Sequence, residues 1–152
     1  MTEQPSAAPI QILLAEDNPG DVFLIREALR EQGLDYELSV IEDGEEAVSF
    51  VYREGVYAGA ARPDLILLDL NLPKCGGREI IQRIRETPEL AKVPVVILSS
   101  SDWLKDRLDA AALGADRYIR KPSNLEEFMK IGAVLKELLS STTRVPTTEE
   151  SR

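Results

Sequence analysis

Two kinds of segment alternate along this chain. Short, nearly continuous runs of Val, Ile, Leu and Ala are each followed by a longer segment in which apolar residues recur every three or four positions. The short runs predict buried strands, and the longer segments predict amphipathic helices. The predicted strands are 10–15, 36–41, 65–69, 94–99 and 116–120. The predicted helices are about 22–32, 45–53, 78–86, 103–113 and 125–139, with Asp21, Asp102 and Asn124 as N-caps of the first, fourth and fifth.

The order of these segments predicts an α/β fold. Continuous apolar strands, rather than alternating ones, are typical of a parallel sheet that is covered on both faces. Right-handed crossovers then give a doubly wound, five-stranded parallel sheet with helices on both faces. We expect one domain at 10–139, a flexible N-terminus at 1–9 and a disordered C-terminal tail at 140–152.

Composition and charge narrow the classes of function. The net charge of −9 disfavours nucleic acid and anionic membranes as partners. The chain lacks histidine, which excludes histidine-based catalysis and histidine metal ligands, and the single cysteine excludes an internal disulfide. No apolar run approaches the length of a membrane span, and the N-terminus does not resemble a signal peptide. We therefore expect a cytoplasmic protein, to which basic proteins or a cation are better suited as partners.

Polar side chains with complementary chemistry follow four of the predicted strands. Glu16 and Asp17 follow the first strand, Asp69 ends the third, Ser99 ends the fourth, and Lys121 follows the fifth. Because ligands of such sheets bind beyond the carboxyl ends of the strands, we expect these groups to meet at one edge. Clustered carboxylates repel one another, and Mg²⁺ is the hard cation that suits them. A carboxylate nucleophile beside a metal, a lysine and a hydroxyl favours phosphoryl transfer to Asp69.

Each residue has a plainer interpretation when it is taken alone. Asp17 could cap a helix, Ser99 could simply end a strand, and Lys121 could be a solvated side chain. Asn71, two residues after Asp69, could be a turn residue, and Asp69 itself is evenly balanced between a site and a turn. The combination at four strand ends, and not any single residue, carries the prediction.

Four motifs resemble the receiver domain of two-component response regulators. They are I-L-L-A-E-D-N-P, L-I-L-L-D-L-N-L-P-K-C-G-G, V-V-I-L-S-S-S and Y-I-R-K-P, in that family's order and spacing. E-D-N-P-G-D-V, R-E-G-V-Y-A-G-A-A-R-P-D and D-L-N-L-P further resemble the small stand-alone regulators paired with bacterial phytochrome histidine kinases. The resemblance covers about 10–139 and implies a flavodoxin-like, receiver-type fold.

The resemblance also implies roles for individual residues. Asp69 matches the phosphoacceptor, and Lys121 and Ser99 match the lysine and the switch hydroxyl that meet the phosphoryl group. Tyr118 matches the aromatic switch residue, and the Lys121–Pro122 bond matches one that is usually cis. The remaining matches form the metal site. Its implied ligands for Mg²⁺ or Mn²⁺ are Glu16, Asp17, Asp69 and the backbone carbonyl of Asn71.

The implied function is that of a phosphorelay response regulator. Its phosphoryl donor would be a sensor histidine kinase, with a bacteriophytochrome as the candidate, and it would form a homodimer through the face of helix four, strand five and helix five. It would not be an enzyme in the usual sense, although it should catalyse its own Mg²⁺-dependent phosphorylation and dephosphorylation. Two alternatives stay open: an aspartyl-phosphate phosphatase, and a pseudo-receiver that acts only as a scaffold.

Overall fold

A five-stranded parallel sheet forms the centre of the molecule. The computed structural model describes residues 9–70, 72, 74, 76–100, 108, 109 and 111–140. The strands are β1 (Ile10–Ala15), β2 (Tyr36–Ile41), β3 (Leu65–Asp69), β4 (Val95–Ser99) and β5 (Arg117–Arg120). Their order in the sheet is β2-β1-β3-β4-β5 and all neighbouring pairs are parallel. This confirms the predicted doubly wound α/β class.

Helices cover both faces of the sheet. They are α1 (Pro19–Glu31), α2 (Gly44–Val51), α3 (Gly77–Glu86) and a C-terminal helix (Leu125–Ser140), with 3-10 turns at Gly55–Tyr57 and Pro88–Leu90. Buried residues of α1 and the C-terminal helix pack with one face of the sheet, and those of α2 and α3 pack with the other. The two apolar layers hold the sheet rigidly between the helices, so the residues at the strand ends have fixed positions.

The burial of the strands follows their position in the sheet. Every residue of β3 and β4 is buried, whereas β2 and β5, at the two edges, have exposed positions. Continuous apolar runs therefore marked the central strands correctly. The edge strand β2 alternates instead: Tyr36, Leu38 and Val40 pack with the layer of α1 and the C-terminal helix, whereas Glu37 and Ser39 are exposed.

Several predicted boundaries were wrong. The first helix begins at Pro19 and its N-cap is Asn18, whose Oδ1 accepts a hydrogen bond from the Asp21 amide at 3.1 Å, so Asp21 is not the cap. The 3-10 turn Gly55–Tyr57 replaces a predicted loop. Asn124 does cap the C-terminal helix, since its Oδ1 accepts from the Glu127 amide at 2.8 Å.

Part of the prediction lies outside the described residues. These parts include the cap Asp102, most of the predicted fourth helix, and nearly all of the predicted flexible N-terminus and C-terminal tail. Within the fourth helix, residues 108, 109, 111 and 112 are helical. Ser140, the first residue of the predicted tail, is the last residue of the C-terminal helix. No described helix is long and apolar enough to cross a membrane.

Candidate functional site

The site lies where the chain reverses its winding direction. The sheet grows from β1 outward to β2 and, on the other side, to β3, so the carboxyl ends of β1 and β3 flank the switch point of the topology. Crevices at such points are the usual ligand sites of open α/β sheets. β1 runs directly into Glu16 and Asp17, and β3 ends at Asp69.

Three carboxylates converge at this edge. Oxygen atoms of Glu16, Asp17 and Asp69 all lie within 4.8 Å of one another. Glu16 and Asp69 are buried, whereas Asp17 is exposed to solvent. Two buried acids and one exposed acid form an oxygen-rich pocket that is open on one side. This is the donor set that a hard divalent cation takes while it keeps part of its water shell.

Lys121 supplies the positive charge among these acids. Its Nζ lies 2.8 Å from Glu16 Oε1, 2.9 Å from Asp21 Oδ2 and 3.1 Å from Asp69 Oδ2. The chain is brought there because the Lys121 amide donates to the Ser99 carbonyl at 2.7 Å, directly after β5 pairs with β4. The ammonium offsets part of the cost of burying Glu16 and Asp69.

Glu16 has the least favourable surroundings of the acids in the cluster. Its side chain is 1% exposed, and its Oε2 accepts from the Asn18 amide at 3.2 Å. Its Oε1 is buried without a hydrogen bond, because the Lys121 ammonium is close enough to attract it but poorly aligned to donate. Burial raises the pKa of Glu16 to about 7, against the lowering effect of Lys121 and with a further contribution from the charge of Asp69. A buried acceptor that lacks a donor fits a site for a cation.

The pKa of Lys121 moves in the direction that keeps it charged. Burial alone would lower this pKa, but the nearby carboxylates of Glu16, Asp21 and Asp69 outweigh burial and raise it. The lysine is therefore an ammonium at any physiological pH. A fixed positive charge beside Asp69 can stabilise negative charge on a phosphoryl group that approaches this carboxylate.

The two predicted switch residues lie on adjacent strands. Ser99, at the end of β4, is fully buried, and Tyr118, on β5, is half-buried and packs against the apolar layer of α2 and α3. In the sheet register Tyr118 pairs with Ile97, two residues before Ser99. Ser99 and Tyr118 are therefore near each other on the β4–β5 pair, close to the strand ends that carry the acids.

The structure brings together most of the predicted site and adds one residue to it. Glu16, Asp17, Asp69 and Lys121 form one cluster, whereas Asn71 lies outside the described residues. Asp21 was missed as a site residue. A proline at the first helical position is a signal for a cap at Asn18, and it would have left the Asp21 side chain free for another role.

One implied feature was wrong. None of the described peptide bonds is cis, so the Lys121–Pro122 bond is trans, and nothing in the structure explains why it departs from the resemblance. The Lys121 ammonium reaches all three of its carboxylate neighbours with the bond in this form.

The fold and the site define an α/β protein of the flavodoxin-like type with an acidic pocket at its topological switch point. Residues 12–132 match the family model described as the response regulator receiver domain. The chain belongs to this family, and it is a receiver-domain response regulator. The predicted resemblance is confirmed.

Its relatives include a response regulator that it matches over nearly the whole length of both chains. The chain is 37% identical to response regulator Rcp1 of Synechocystis sp. over 141 residues, which is 93% of this chain and 96% of Rcp1. The crystal structure of the Mn²⁺-bound form of Rcp1 matches with a TM-score of 0.82 at 37% identity, covering 91% of this chain and 100% of that chain.

Two further solved structures agree with this relationship. The phosphorylated cyanobacterial phytochrome response regulator RcpA matches with a TM-score of 0.83 at 42% identity, over 92% of this chain and 100% of RcpA. The bacteriophytochrome response regulator RtBRR matches with a TM-score of 0.73 at 32% identity, over 95% of this chain and 85% of RtBRR. The resemblance to phytochrome-type regulators is therefore confirmed as well.

Proposed function

We propose that this response regulator accepts a phosphoryl group on Asp69 from a sensor histidine kinase and passes the signal on by protein–protein contact. The observation that carries the proposal is the position of Asp69: a buried carboxylate at the switch point, bonded to Lys121 and within 4.8 Å of two further acids. The receiver domain itself is proposed to span 10–139, which is supported by the family match over 12–132.

Asp69 acts as the nucleophile in this proposal. One of its carboxylate oxygens attacks phosphorus, and the bond from phosphorus to the donor's imidazole nitrogen breaks. The Lys121 ammonium, already 3.1 Å from Asp69 Oδ2, faces the negative charge that develops on the phosphoryl oxygens. The rigid, fully buried strand β3 holds the nucleophile in place during the reaction.

A divalent cation is proposed as the cofactor. Glu16, Asp17 and Asp69 would hold Mg²⁺ or Mn²⁺, with the backbone carbonyl of Asn71 as a further ligand. The bound ion would neutralise negative charge on the acids and on the incoming phosphoryl group. The buried Oε1 of Glu16, which accepts no hydrogen bond, and the Mn²⁺ in the Rcp1 structure support this assignment.

The signal would leave the site through Ser99 and Tyr118. A phosphoryl group on Asp69 brings new acceptor oxygens, to which the Ser99 hydroxyl can donate. Movement of Ser99 would give Tyr118, half-buried on the neighbouring strand, room to turn inward. This is a two-state equilibrium that the modification biases, and it would reshape the surface made by β5 and the C-terminal helix.

This surface is also the proposed site of homodimerisation. Residues of β5 and the C-terminal helix, including Tyr118, Arg120, Lys130 and Val134, line a groove there. A phosphorylated sample that shifts towards dimer in analytical ultracentrifugation, with the shift abolished by Arg120→Glu, would support the surface. An identical monomer–dimer profile with and without phosphorylation would rule out control of assembly by Asp69.

The kinase partner is proposed to be a bacteriophytochrome, and the location cytoplasmic. The similarity to RcpA and RtBRR supports a phytochrome partner. Phosphotransfer from a panel of purified histidine kinases would test this pairing. Transfer that is fastest from a phytochrome kinase is the expected result, and equal rates from unrelated kinases would contradict it.

The central experiment measures intact mass after incubation with Mg²⁺ and a small-molecule phosphodonor such as acetyl phosphate. We expect wild type to gain one phosphoryl group and Asp69→Asn to gain none, and EDTA should block the gain. Asp35→Asn is a matched control, because Asp35 is an exposed acid at the opposite edge of the sheet, where its carbonyl accepts from the Ile10 amide.

The same experiment separates the alternatives. Failure of wild type to gain mass from any donor would favour the pseudo-receiver, although the assembled cluster of Glu16, Asp17, Asp69 and Lys121 argues against it. Steady turnover of a free phosphate ester would favour a phosphatase. The match to the receiver family over 12–132 does not favour that alternative.

A further inference from the structure

Lys121 has three carboxylate neighbours in the described part of the chain, and they are not equivalent. Its Nζ donates hydrogen bonds to Asp21 Oδ2 at 2.9 Å and to Asp69 Oδ2 at 3.1 Å. It also lies 2.8 Å from Glu16 Oε1, in a contact that is electrostatic but poorly aligned for a hydrogen bond. The ammonium therefore depends on Asp21 and Asp69 for its orientation.

Asp21 differs from the other two neighbours in its position. It belongs to the first turn of α1 rather than to a strand end, and its side chain is 22% exposed. Glu16 and Asp69 belong to the group of acids that can hold a cation, together with Asp17, whereas Asp21 is outside that group. Of the three carboxylates around Lys121, Asp21 is therefore the one that would not also bind the cation.

This difference matters when a divalent cation competes for the acids. The ion would draw the oxygens of Glu16 and Asp69 towards itself, and its charge repels the ammonium. Without another partner, the long and flexible lysine side chain would turn out to solvent. We propose that Asp21 is a positioning residue that retains the Lys121 ammonium beside Asp69 while Glu16 and Asp69 engage a divalent cation.

The inference rests on the proposed function for its consequence, but its physical content can be tested without any reaction. Ammonium protons of lysine are visible in ¹⁵N-detected NMR spectra only while hydrogen bonds protect them from exchange with water. The Lys121 signal is assigned by its loss in Lys121→Arg. Spectra are then recorded for wild type, Asp21→Asn and Asp21→Glu, each without and with saturating Mg²⁺.

We expect the Lys121 signal in all three proteins without Mg²⁺, because Asp69 still accepts a hydrogen bond from the ammonium. With Mg²⁺ the signal should persist in wild type, disappear in Asp21→Asn, and return in Asp21→Glu, which restores the carboxylate. Asp35→Asn, the distant control, should behave as wild type. Persistence of the signal in Mg²⁺-loaded Asp21→Asn would overturn the inference, and so would its absence from wild type under both conditions.

Phosphorylation kinetics give an independent readout. At saturating Mg²⁺, Asp21→Asn should slow phosphorylation of Asp69 by acetyl phosphate about tenfold, which corresponds to about 1.4 kcal/mol in the barrier. The same substitution should have no further effect in a Lys121→Met background, because Asp21 acts through the lysine ammonium and methionine offers no cation for it to hold. An unchanged or faster rate, or an equal loss in both backgrounds, would overturn the inference.

The outcomes also separate this inference from the proposed function. If wild type takes no phosphoryl group but the Mg²⁺-dependent loss of the Lys121 signal occurs in Asp21→Asn, the proposed function fails and the inference stands. If wild type is phosphorylated and Asp21→Asn retains the signal and the rate, the inference fails alone. Thermal unfolding of each variant shows whether the fold is intact.

Discussion

Glu16 makes the stability of the cation-free protein depend on pH. Burial raises the pKa of Glu16 to about 7, whereas an unfolded chain would titrate this group near its ordinary pKa of 4.5. The folded state therefore holds the Glu16 proton more tightly than the unfolded state does. The stability contribution of Glu16 is fully present below pH 4.5 and is lost as the pH rises through about 7.

The size of the effect follows from this shift. One pKa unit corresponds to about 1.4 kcal/mol, so ionisation of Glu16 in the folded protein costs about 3 kcal/mol once the pH is well above 7. Between pH 5 and 8 the expected loss is about 2 to 3 kcal/mol, because the group is already partly ionised in the unfolded chain at pH 5. This is a large part of the stability of a typical domain.

Urea denaturation in EDTA measures this loss. Other acids also titrate, so the quantity to compare is the difference in the free energy of unfolding between wild type and Glu16→Gln, which keeps the shape but cannot ionise. We expect wild type to lose about 2 to 3 kcal/mol relative to Glu16→Gln from pH 5 to pH 8. With saturating Mg²⁺ the loss should be reversed, because a cation favours the ionised carboxylate.

Two results would refute this reasoning. If the wild-type and Glu16→Gln curves in EDTA stay parallel from pH 5 to pH 8, the Glu16 carboxylate is not destabilised by its burial. If Mg²⁺ stabilises wild type and Glu16→Gln equally at pH 8, Glu16 does not take part in holding the cation.

Two further predictions concern the packing behind the site. Gly132→Ala should destabilise the protein by about 2 kcal/mol or more in urea denaturation. A Cβ at this position would lie 2.3 Å from the Ala28 carbonyl oxygen and would force α1 and the C-terminal helix apart. Gly59→Ala, where a Cβ would meet open space, is the control and should change stability little. Arg85→Ala should lower the free energy of unfolding by about 2 kcal/mol or more, because the guanidinium donates to three backbone carbonyls and a carboxylate. Arg83→Ala, which removes an exposed ion pair on the same helix, should lower it by less than about 1 kcal/mol. Equal losses for the two arginines would contradict this account.

The sheet and the main part of the site were predictable because both depend on local pattern. The continuous apolar runs of β3 and β4 reflect burial on both faces, so each run marked a central strand. Once the strands are known to be parallel, their carboxyl ends must share one edge. Glu16, Asp69 and Lys121 could then be placed together without any knowledge of distances.

The contacts between distant segments were not predictable in the same way. Asp21 is a site residue only because α1 begins at Pro19 and turns this side chain towards Lys121, one hundred positions away in sequence. Arg85 likewise joins α3 to the carbonyl of Gly114 and to Asp116, a contact without a local signal. A charged residue on a helix is most often solvated, and only the tertiary arrangement reveals the exceptions.

The chemistry of the site and the stability of the fold are in opposition at this sheet edge. Four carboxylates, Glu16, Asp17, Asp21 and Asp69, lie at this edge, and the Lys121 ammonium contacts three of them. Among the described residues the cation-free cluster therefore carries excess negative charge and leaves one buried oxygen without a hydrogen-bond donor. The apolar layers on both faces of the sheet can support such a cost of a few kcal/mol. Because a bound cation relieves the cost, and a phosphoryl group on Asp69 changes it again, the free energy of this edge differs among the three states. That difference is what allows the modification of one carboxylate to shift the conformation of its neighbours.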